Sequence, residues 1–227
     1  MSLKNRWIFL LLILVTAIDL FLLITENPNR VFSKPLLMPV LIWAYIGEQD
    51  NKTMFSRLII AALFFSWLGD IFLMFDHIDS LYFILGLSCF LTTHILYIIY
   101  FLRIDSGNHS YLKKRPLMLL VIVAYTIELL YILWPKLDML RIPVTVYAIV
   151  ISSMLGAAAW QYGKIAVQAA MFFIAGAFLF VLSDSALALN RFLEPFAGGG
   201  IFVMLTYVAA QTLIVLGSIS HLKKLAN

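Results

Sequence analysis

The stretches Ser66-Trp67-Leu68-Gly69-Asp70 and Leu182-Ser183-Asp184-Ser185 each place an aspartate inside a long apolar run of the chain. The flanking residues align without gaps, 64–73 with 178–187, and in both stretches a small residue directly precedes the aspartate. A carboxylate at membrane depth costs roughly 2.5–3.5 kcal/mol on insertion scales, so such residues usually mark functional sites. We therefore predict that Asp70 and Asp184 face each other in one buried polar site, and that this site is catalytic.

The composition is that of a membrane protein. The chain is 63% hydrophobic and 12% charged, with a mean hydropathy of +0.98, whereas soluble domains are about half apolar and about a quarter charged. Because a span needs about 20 apolar residues, 227 residues accommodate about eight spans with short loops and no separate soluble domain. The single cysteine, Cys89, excludes an intrachain disulfide. The net charge of +4 is explained by basic cytoplasmic loops, so we expect no nucleic-acid partner.

Apolar periodicity predicts an all-α polytopic fold that forms a single transmembrane domain, residues 1–227. The predicted helices lie at about 7–24, 35–47, 56–75, 80–102, 116–134, 142–161, 165–189 and 199–221. The second helix is short and carries Pro35 and Pro39, so we expect it to be bent or to span only part of the membrane.

Lysine and arginine are unevenly divided between the two sides that eight crossings create. One side carries 11 of them and the other carries 5. The first set is Lys4, Arg6, Lys52, Arg57, Arg103, Lys113, Lys114, Arg115, Lys164, Lys223 and Lys224; the second is Arg30, Lys34, Lys136, Arg141 and Arg191. Because cytoplasmic loops are enriched in these residues, both termini are expected to be cytoplasmic.

The two halves of the chain, about 1–110 and 111–227, resemble each other weakly. Besides the aspartate stretches, 17–20 resembles 126–129, Lys34-Pro35 resembles Arg141-Ile142-Pro143, and Thr93-His94 resembles Ala210-Gln211. Four helices in each half predict parallel repeats related by an axis along the membrane normal.

The predicted orientation places the acids and bases in one half of the bilayer. Asp70, Glu128 and Asp184 lie past the midpoints of helices that run outward. Lys34, Arg141 and Tyr147 also lie in the outer half, because the second and sixth predicted helices begin on the outer side. Arg191 lies two turns beyond Asp184 on the same helix face. This arrangement suits a ligand with a buried reactive middle and an anionic head.

Several of these residues also have simpler explanations. The two aspartates can be structural, bonded to serines and backbone groups of neighbouring helices. Asp19 equally fits a helix-end acid that reaches interfacial water, and Arg191 equally fits an interface anchor. His94 is interpreted as a histidine satisfied between helices. The sequence has no His-x-x-x-His pair, no Cys-x-x-Cys pair and no Gly-x-Ser-x-Gly elbow, so we expect neither a metal, another cofactor nor a serine nucleophile.

A combination of motifs resembles the YhhN family, which includes bacterial and animal lysoplasmalogenases. The combination is Lys34-Pro35, Ser66-Trp67-Leu68-Gly69-Asp70, Thr93-His94 with Tyr97, Ser183-Asp184 with Asn190-Arg191, and Tyr207 with Ala210-Gln211. The resemblance covers nearly the whole chain and implies hydrolysis of the vinyl ether bond of a lysoplasmalogen to a fatty aldehyde and glycerophosphocholine or glycerophosphoethanolamine. It implies an integral protein of a bacterial cytoplasmic membrane, with a lysophospholipid, membrane lipids and water as partners.

The residues fit this reaction independently of the family. Vinyl ether cleavage needs an acid that protonates carbon and a carboxylate that stabilises the cation and activates water, and two acids in one desolvated site tend to share one proton. Asp70 and Asp184 can supply both roles. The residues assigned to substrate binding are Lys34 and Arg191 for the phosphate, Tyr147 and Tyr207 for water or the glycerol hydroxyl, and Asn190, Glu128 and Gln211.

Two rival functions remain open at this point. An intramembrane aspartyl protease is disfavoured because Trp67 stands where its Gly-x-Gly-Asp motif has the first glycine, and because Ser183 replaces the tyrosine of its second motif. A proton-coupled transporter would suit parallel repeats and midplane acids. The strong polar groups gather in the predicted outer half, with mainly His94 and Gln211 in the inner half, which favours a pocket open to one side.

Overall fold

The computed structural model describes residues 3–48, 53–104, 109–114 and 116–226. Within these ranges the chain forms helices and their connections, without a strand, which confirms the all-α class. The α-helices are α1 Leu3–Ile24, α2 Arg30–Ser33, α3 Leu37–Gly47, α4 Met54–Met74, α5 Ser80–Arg103, α6 Leu117–Leu133, α7 Arg141–Trp160, α8 Val167–Phe192 and α9 Gly199–Ala226. Short 3-10 turns occur at Lys34–Leu36, Tyr111–Lys114, Trp134–Lys136 and Asp138–Leu140.

Seven helices in the described part of the chain are long and apolar enough to cross a membrane. They are Trp7–Ile24, Met54–Met74, Ser80–Arg103, Leu117–Lys136, Asp138–Trp160, Val167–Phe192 and Gly199–Lys224. The protein is therefore an integral membrane protein with a polytopic all-α fold, as predicted.

The second predicted helix, 35–47, differs from the other seven. The 3-10 turn Lys34–Leu36, which contains Pro35, separates α2 from α3. As a result α3 has only 11 residues, or about 16 Å at 1.5 Å per residue, against a hydrocarbon core of about 30 Å. The short, interrupted second segment expected from its prolines is confirmed, and it accounts for the difference between seven long helices and the predicted total of about eight.

Helix ends lie within about five residues of their predicted positions, and two helices begin with a side-chain cap. Thr53 precedes α4, and its hydroxyl accepts a hydrogen bond from the Ser56 amide at 3.2 Å. Asp79 precedes α5, and its carboxylate accepts one from the Leu81 amide at 2.8 Å. Both are side-chain caps of the usual N-terminal kind. The α8 helix continues to Phe192, so Asn190 and Arg191 are part of it.

Two compact units make up the chain, 1–100 and 101–227. In the first unit α1 packs on α3 and α3 on α4, and α4 approaches α5 closely at Gly69, where a Cβ atom would lie 2.7 Å from the Phe90 ring. In the second unit α8 lies along α9. They approach closely at Gly176, where a Cβ atom would lie 2.9 Å from the Ala210 carbonyl oxygen. Small residues that allow such close backbone contact are typical of membrane helix packing.

Candidate active site

In the first unit, Asp70 of α4 is buried beside a lysine. Its side chain is 4% exposed, and its Oδ1 lies 3.5 Å from the Lys34 Nζ atom. The preceding Gly69 allows the Phe90 ring to pack directly against α4. One turn earlier, Ser66 donates a hydrogen bond to the Thr93 hydroxyl of α5 at 3.1 Å. The apolar surroundings therefore contain one carboxylate and one ammonium group in contact.

The 3-10 turn that carries Lys34 is fastened to α4 by a second contact. The indole Nε1 of Trp67 donates a hydrogen bond to the Pro35 carbonyl oxygen at 2.9 Å. Trp67 belongs to the same Ser66–Asp70 stretch as the carboxylate. The stretch therefore supplies Asp70 and also holds the backbone next to Lys34 in place.

Asp19 of α1 anchors the other side of this turn. It is fully buried; its Oδ2 lies 3.4 Å from the Arg30 Nη2 atom, and its Oδ1 accepts a hydrogen bond from the Ser33 hydroxyl at 2.8 Å. Ser33 directly precedes Lys34 in the chain. Asp19 therefore lies in a buried polar cluster, and the alternative of a helix-end acid at interfacial water does not describe it.

In the second unit, Asp184 of α8 is half-buried and contacts a phenol. The Tyr147 hydroxyl of α7 donates a hydrogen bond to its Oδ2. The flanking serines attach α8 to its neighbours: Ser183 donates to the Val203 carbonyl oxygen of α9 at 3.0 Å, and Ser185 accepts from the Tyr125 hydroxyl of α6 at 2.8 Å. Asp184 is thus held between three helices of this unit.

The remaining predicted site residues have diverse environments. Tyr207 and Gln211 of α9 are buried, and the Tyr207 ring packs edge-on against Phe180 with centroids 5.8 Å apart. The Asn190 side-chain oxygen accepts a hydrogen bond from the Phe196 amide at 3.1 Å and so closes the turn after α8.

The exposed candidates are Arg191 at the end of α8 and Glu128 of α6. Arg141, another predicted base, has its guanidinium 5.2 Å from the centroid of the Trp134 ring. The structure thus pairs Lys34 with Asp70 and Tyr147 with Asp184, and leaves Arg191 and Glu128 at accessible positions.

Metal-ligand clusters are absent from the described residues: no group of three or more His, Cys, Asp or Glu side chains is arranged to hold a metal ion. The buried His94 lies on α5, in the unit that contains Asp70.

A family model for the YhhN family matches residues 29–218. The chain belongs to the YhhN family. The matched range of this YhhN protein includes Lys34, Asp70, Tyr147 and Asp184, whereas Asp19 precedes it. No solved structure matches the chain significantly.

Curated relatives of this YhhN protein are named lysoplasmalogenases. The chain is 31% identical to lysoplasmalogenase TMEM86A of Bos taurus over 171 residues, which is 71% of this chain and 65% of the relative. It is 30% identical to lysoplasmalogenase TMEM86B of Homo sapiens over 191 residues, 80% of this chain and 73% of the relative. It is 29% identical to lysoplasmalogenase TMEM86B of Sus scrofa over 209 residues, 88% of this chain and 80% of the relative.

Proposed function

We propose that this YhhN protein is an integral-membrane hydrolase that cleaves the vinyl ether bond of lysoplasmalogens, with Asp70 and Asp184 as its acid–base pair. The observation that carries the proposal is the presence of two carboxyl groups inside membrane-spanning helices of a chain whose relatives are named lysoplasmalogenases. Intramembrane carboxyl groups of this kind are functional by default.

The proposed reaction consumes one water molecule. A carboxylic acid protonates the β carbon of the vinyl ether, and the C=C electron pair forms the new C–H bond, which leaves an oxocarbenium ion. Water adds to the cationic carbon and gives a proton to the carboxylate, forming a hemiacetal. The hemiacetal hydroxyl then gives its proton to the carboxylate that was the first proton donor, and the C–O bond to glycerol breaks as its oxygen takes a proton from the other carboxylic acid. These transfers release a fatty aldehyde and the glycerophospho alcohol and restore both carboxyl groups. Proton transfers by positioned side chains accelerate such steps by typically 10²–10⁴-fold.

The partners of the two carboxyl groups support different roles. The Lys34 ammonium has only donors, so the Asp70 oxygen that it contacts acts as an acceptor and Asp70 is assigned the carboxylate role. Tyr147 can donate or accept a hydrogen bond, so it can remain bonded to Asp184 in either protonation state. Asp184 is therefore assigned the proton donor, and Asp70 stabilises the oxocarbenium ion and accepts the proton of water.

Substrate binding is assigned to the remaining polar residues. Arg191 is exposed and can form the paired hydrogen bonds that guanidinium groups make with phosphate. Because Lys34 contacts Asp70, Arg191 is the better candidate for the head group.

Both termini are proposed to be cytoplasmic, which labelling of terminal tags in intact cells would test.

Incubation of the purified protein with lysoplasmalogen, followed by measurement of free aldehyde, tests the function. A saturated alkyl ether lysophospholipid with the same head group is the matched control, because it lacks the double bond that is protonated. We expect aldehyde only from the vinyl ether, and the same rate with EDTA. Movement of intact substrate across vesicle membranes without aldehyde release would instead favour a transporter.

A further inference from the structure

An apolar groove lies within the second unit, between α6, α7 and α8. Its volume is about 350 Å³, and its walls include Val121 and Ile122 of α6, Leu155 of α7, and Ile174, Phe178 and Leu182 of α8. On α8 these positions recur at helical spacing, so they form one continuous face.

One end of the groove lies close to Asp184 in the chain, because Leu182 of α8 lines it. Tyr125, which lines the groove, donates a hydrogen bond to Ser185 at 2.8 Å, and Ser185 is the neighbour of Asp184 in the chain. Ser152 also lines the groove, and its hydroxyl lies 2.6 Å from that of Thr126. A ligand in the groove would therefore have apolar walls along its length, and one of its ends would lie near Asp184.

The groove continues away from this end. A second cavity of about 460 Å³ shares Leu112, Met118, Ala159 and Ile174 with the first and extends to Tyr162 and Met171. From Asp184 to Met171 the α8 backbone covers about 20 Å at 1.5 Å per residue. One leaflet of the hydrocarbon core is about 15 Å deep, half of about 30 Å. The two cavities together are therefore long enough for the fatty chain of a membrane lipid.

We propose that this groove, from Tyr125 and Ser185 to Met171 and Tyr162, binds the alkenyl chain of the substrate and directs its vinyl ether end to Asp184. The inference rests on the proposed function, and it names the part of the protein that binds the alkenyl chain. The apolar walls exclude a phosphorylated head group, whose burial without partners would be costly. The position of Asp184 near one end of the groove gives the chain a defined direction.

Ala159 provides the sharpest test because it lines both cavities. Ala159→Phe should block the groove between its two parts. We expect KM for a long-chain lysoplasmalogen to rise about tenfold, and KM for a short-chain one to stay within about twofold, because each methylene that loses its apolar contacts weakens binding. Ala17→Phe, the same change at an exposed position of α1, should leave both values unchanged. An equal rise in KM for both chain lengths would overturn the proposal.

A photocrosslinking experiment on the unmodified protein needs neither folding of the variant nor turnover. The probe is a saturated alkyl ether lysophospholipid with a diazirine at the end of its chain. We expect crosslinks at Met171, Ile174 or Tyr162. Crosslinks at these residues without aldehyde release from lysoplasmalogen would contradict the proposed function and support binding of the alkyl chain in the groove. Aldehyde release with crosslinks confined to other helices would contradict binding of the chain in the groove and support the proposed function.

Discussion

The Asp70 and Asp184 sites have similar sequences and different surroundings. Asp70 is buried against the ammonium of Lys34, whereas Asp184 is half-buried and bonded to the hydroxyl of Tyr147. The small residue before each aspartate also serves a different purpose. Gly69 makes room for the Phe90 ring, and the Ser183 hydroxyl donates to the Val203 carbonyl. Similar motifs thus provide a carboxyl group beside a charge in one unit and beside a neutral donor in the other.

The difference indicates that similar motifs in the two units can have different roles. Pairs of titratable groups whose environments differ are the usual basis for separate acid and base functions. Changes to the two aspartates should therefore have similarly large effects, whereas changes to their partners, Lys34 and Tyr147, should differ in size.

Replacing either aspartate by asparagine should have the largest effect. Asp70→Asn and Asp184→Asn remove an ionisable group and keep its shape, so each should abolish aldehyde release, and the double variant should be little worse than either. Residues that act as a unit are strongly non-additive. Asp79→Asn, at an exposed helix cap, is the control. Retention by Asp70→Asn of more than about a tenth of wild-type kcat, a barrier change under about 1.4 kcal/mol, would direct attention to Glu128.

The wild-type pH–rate profile sharpens the same comparison. One protonated and one ionised carboxyl group should give a bell-shaped curve, whose two limbs report the pair as a whole. A profile with a single limb would mean that only one of the aspartates takes part in proton transfer.

Removing the charge beside Asp70 should have the next largest effect. Lys34→Met leaves Asp70 buried without its cation, which is costly when both partners are shielded from water. We expect kcat to fall about 100-fold, or about 2.7 kcal/mol, with little change in KM. Lys136→Met, at an exposed position, should have no effect on either value. A rise in KM alone would assign Lys34 to the phosphate, as the sequence first indicated.

Removing the donor beside Asp184 should cost less. Tyr147→Phe keeps the ring and deletes the hydroxyl that donates to Asp184, so we expect kcat to fall about tenfold, since a hydrogen bond to a neutral carboxylic acid contributes about 0.5–1.5 kcal/mol. Tyr131→Phe is the matched control, because Tyr131 is 81% exposed on α6. Equal activities of the two phenylalanine variants would remove Tyr147 from the mechanism.

Arg191, exposed at the end of α8, should contribute to substrate binding and not to the chemical step. Arg191→Ala should raise KM about fivefold and leave kcat within about twofold, because phosphate is held similarly in the ground and transition states. Steady-state kinetics at several substrate concentrations separate the two constants. A collapse of kcat with an unchanged KM would place Arg191 in the reaction itself.

The residues that precede the aspartates should give the smallest effect. Gly69→Ala introduces a methyl group 2.7 Å from the Phe90 ring and should destabilise the protein by about 1 kcal/mol, at the low end for overpacking because a ring can shift. The double variant with Phe90→Leu should recover most of this loss. Ser183→Ala should cost about as much through its lost hydrogen bond, but Phe90→Leu should not rescue it. Thermal unfolding in detergent measures all four variants.

Much of the fold could be predicted from the sequence because long apolar runs have few alternatives in a bilayer. The short second segment was also indicated, since Pro35 and Pro39 disfavour a continuous helix. The contacts of the candidate site were harder to predict. Lys34 was expected near a phosphate, yet its nearest acid is Asp70, on a different helix. Side-chain partners of this kind depend on how α3 and α4 pack, which hydrophobic periodicity does not specify.

For Asp19, the sequence contains a local indication of its partner. An acid in the first helix, with an arginine 11 residues later in the chain, is the sequence signature of a pair across a tight helix connection. Ser33 and Trp67 carried no comparable signal, because serine and tryptophan are common in membrane helices for other reasons. Their importance is visible only from the hydrogen bonds to Asp19 and to the Pro35 carbonyl oxygen.

The order of the charges in the first unit has a consequence for biogenesis. Four charged residues of this unit form two pairs, Asp19 with Arg30 and Lys34 with Asp70. Each charge left alone in the bilayer costs roughly 2.5–3.5 kcal/mol. During synthesis α1 therefore becomes favourable in lipid once Arg30 has emerged, and Lys34 needs α4 to follow. Insertion of α1 to α4 is accordingly cooperative, and a ribosome stalled before Asp70 should leave the 3-10 turn outside the hydrocarbon.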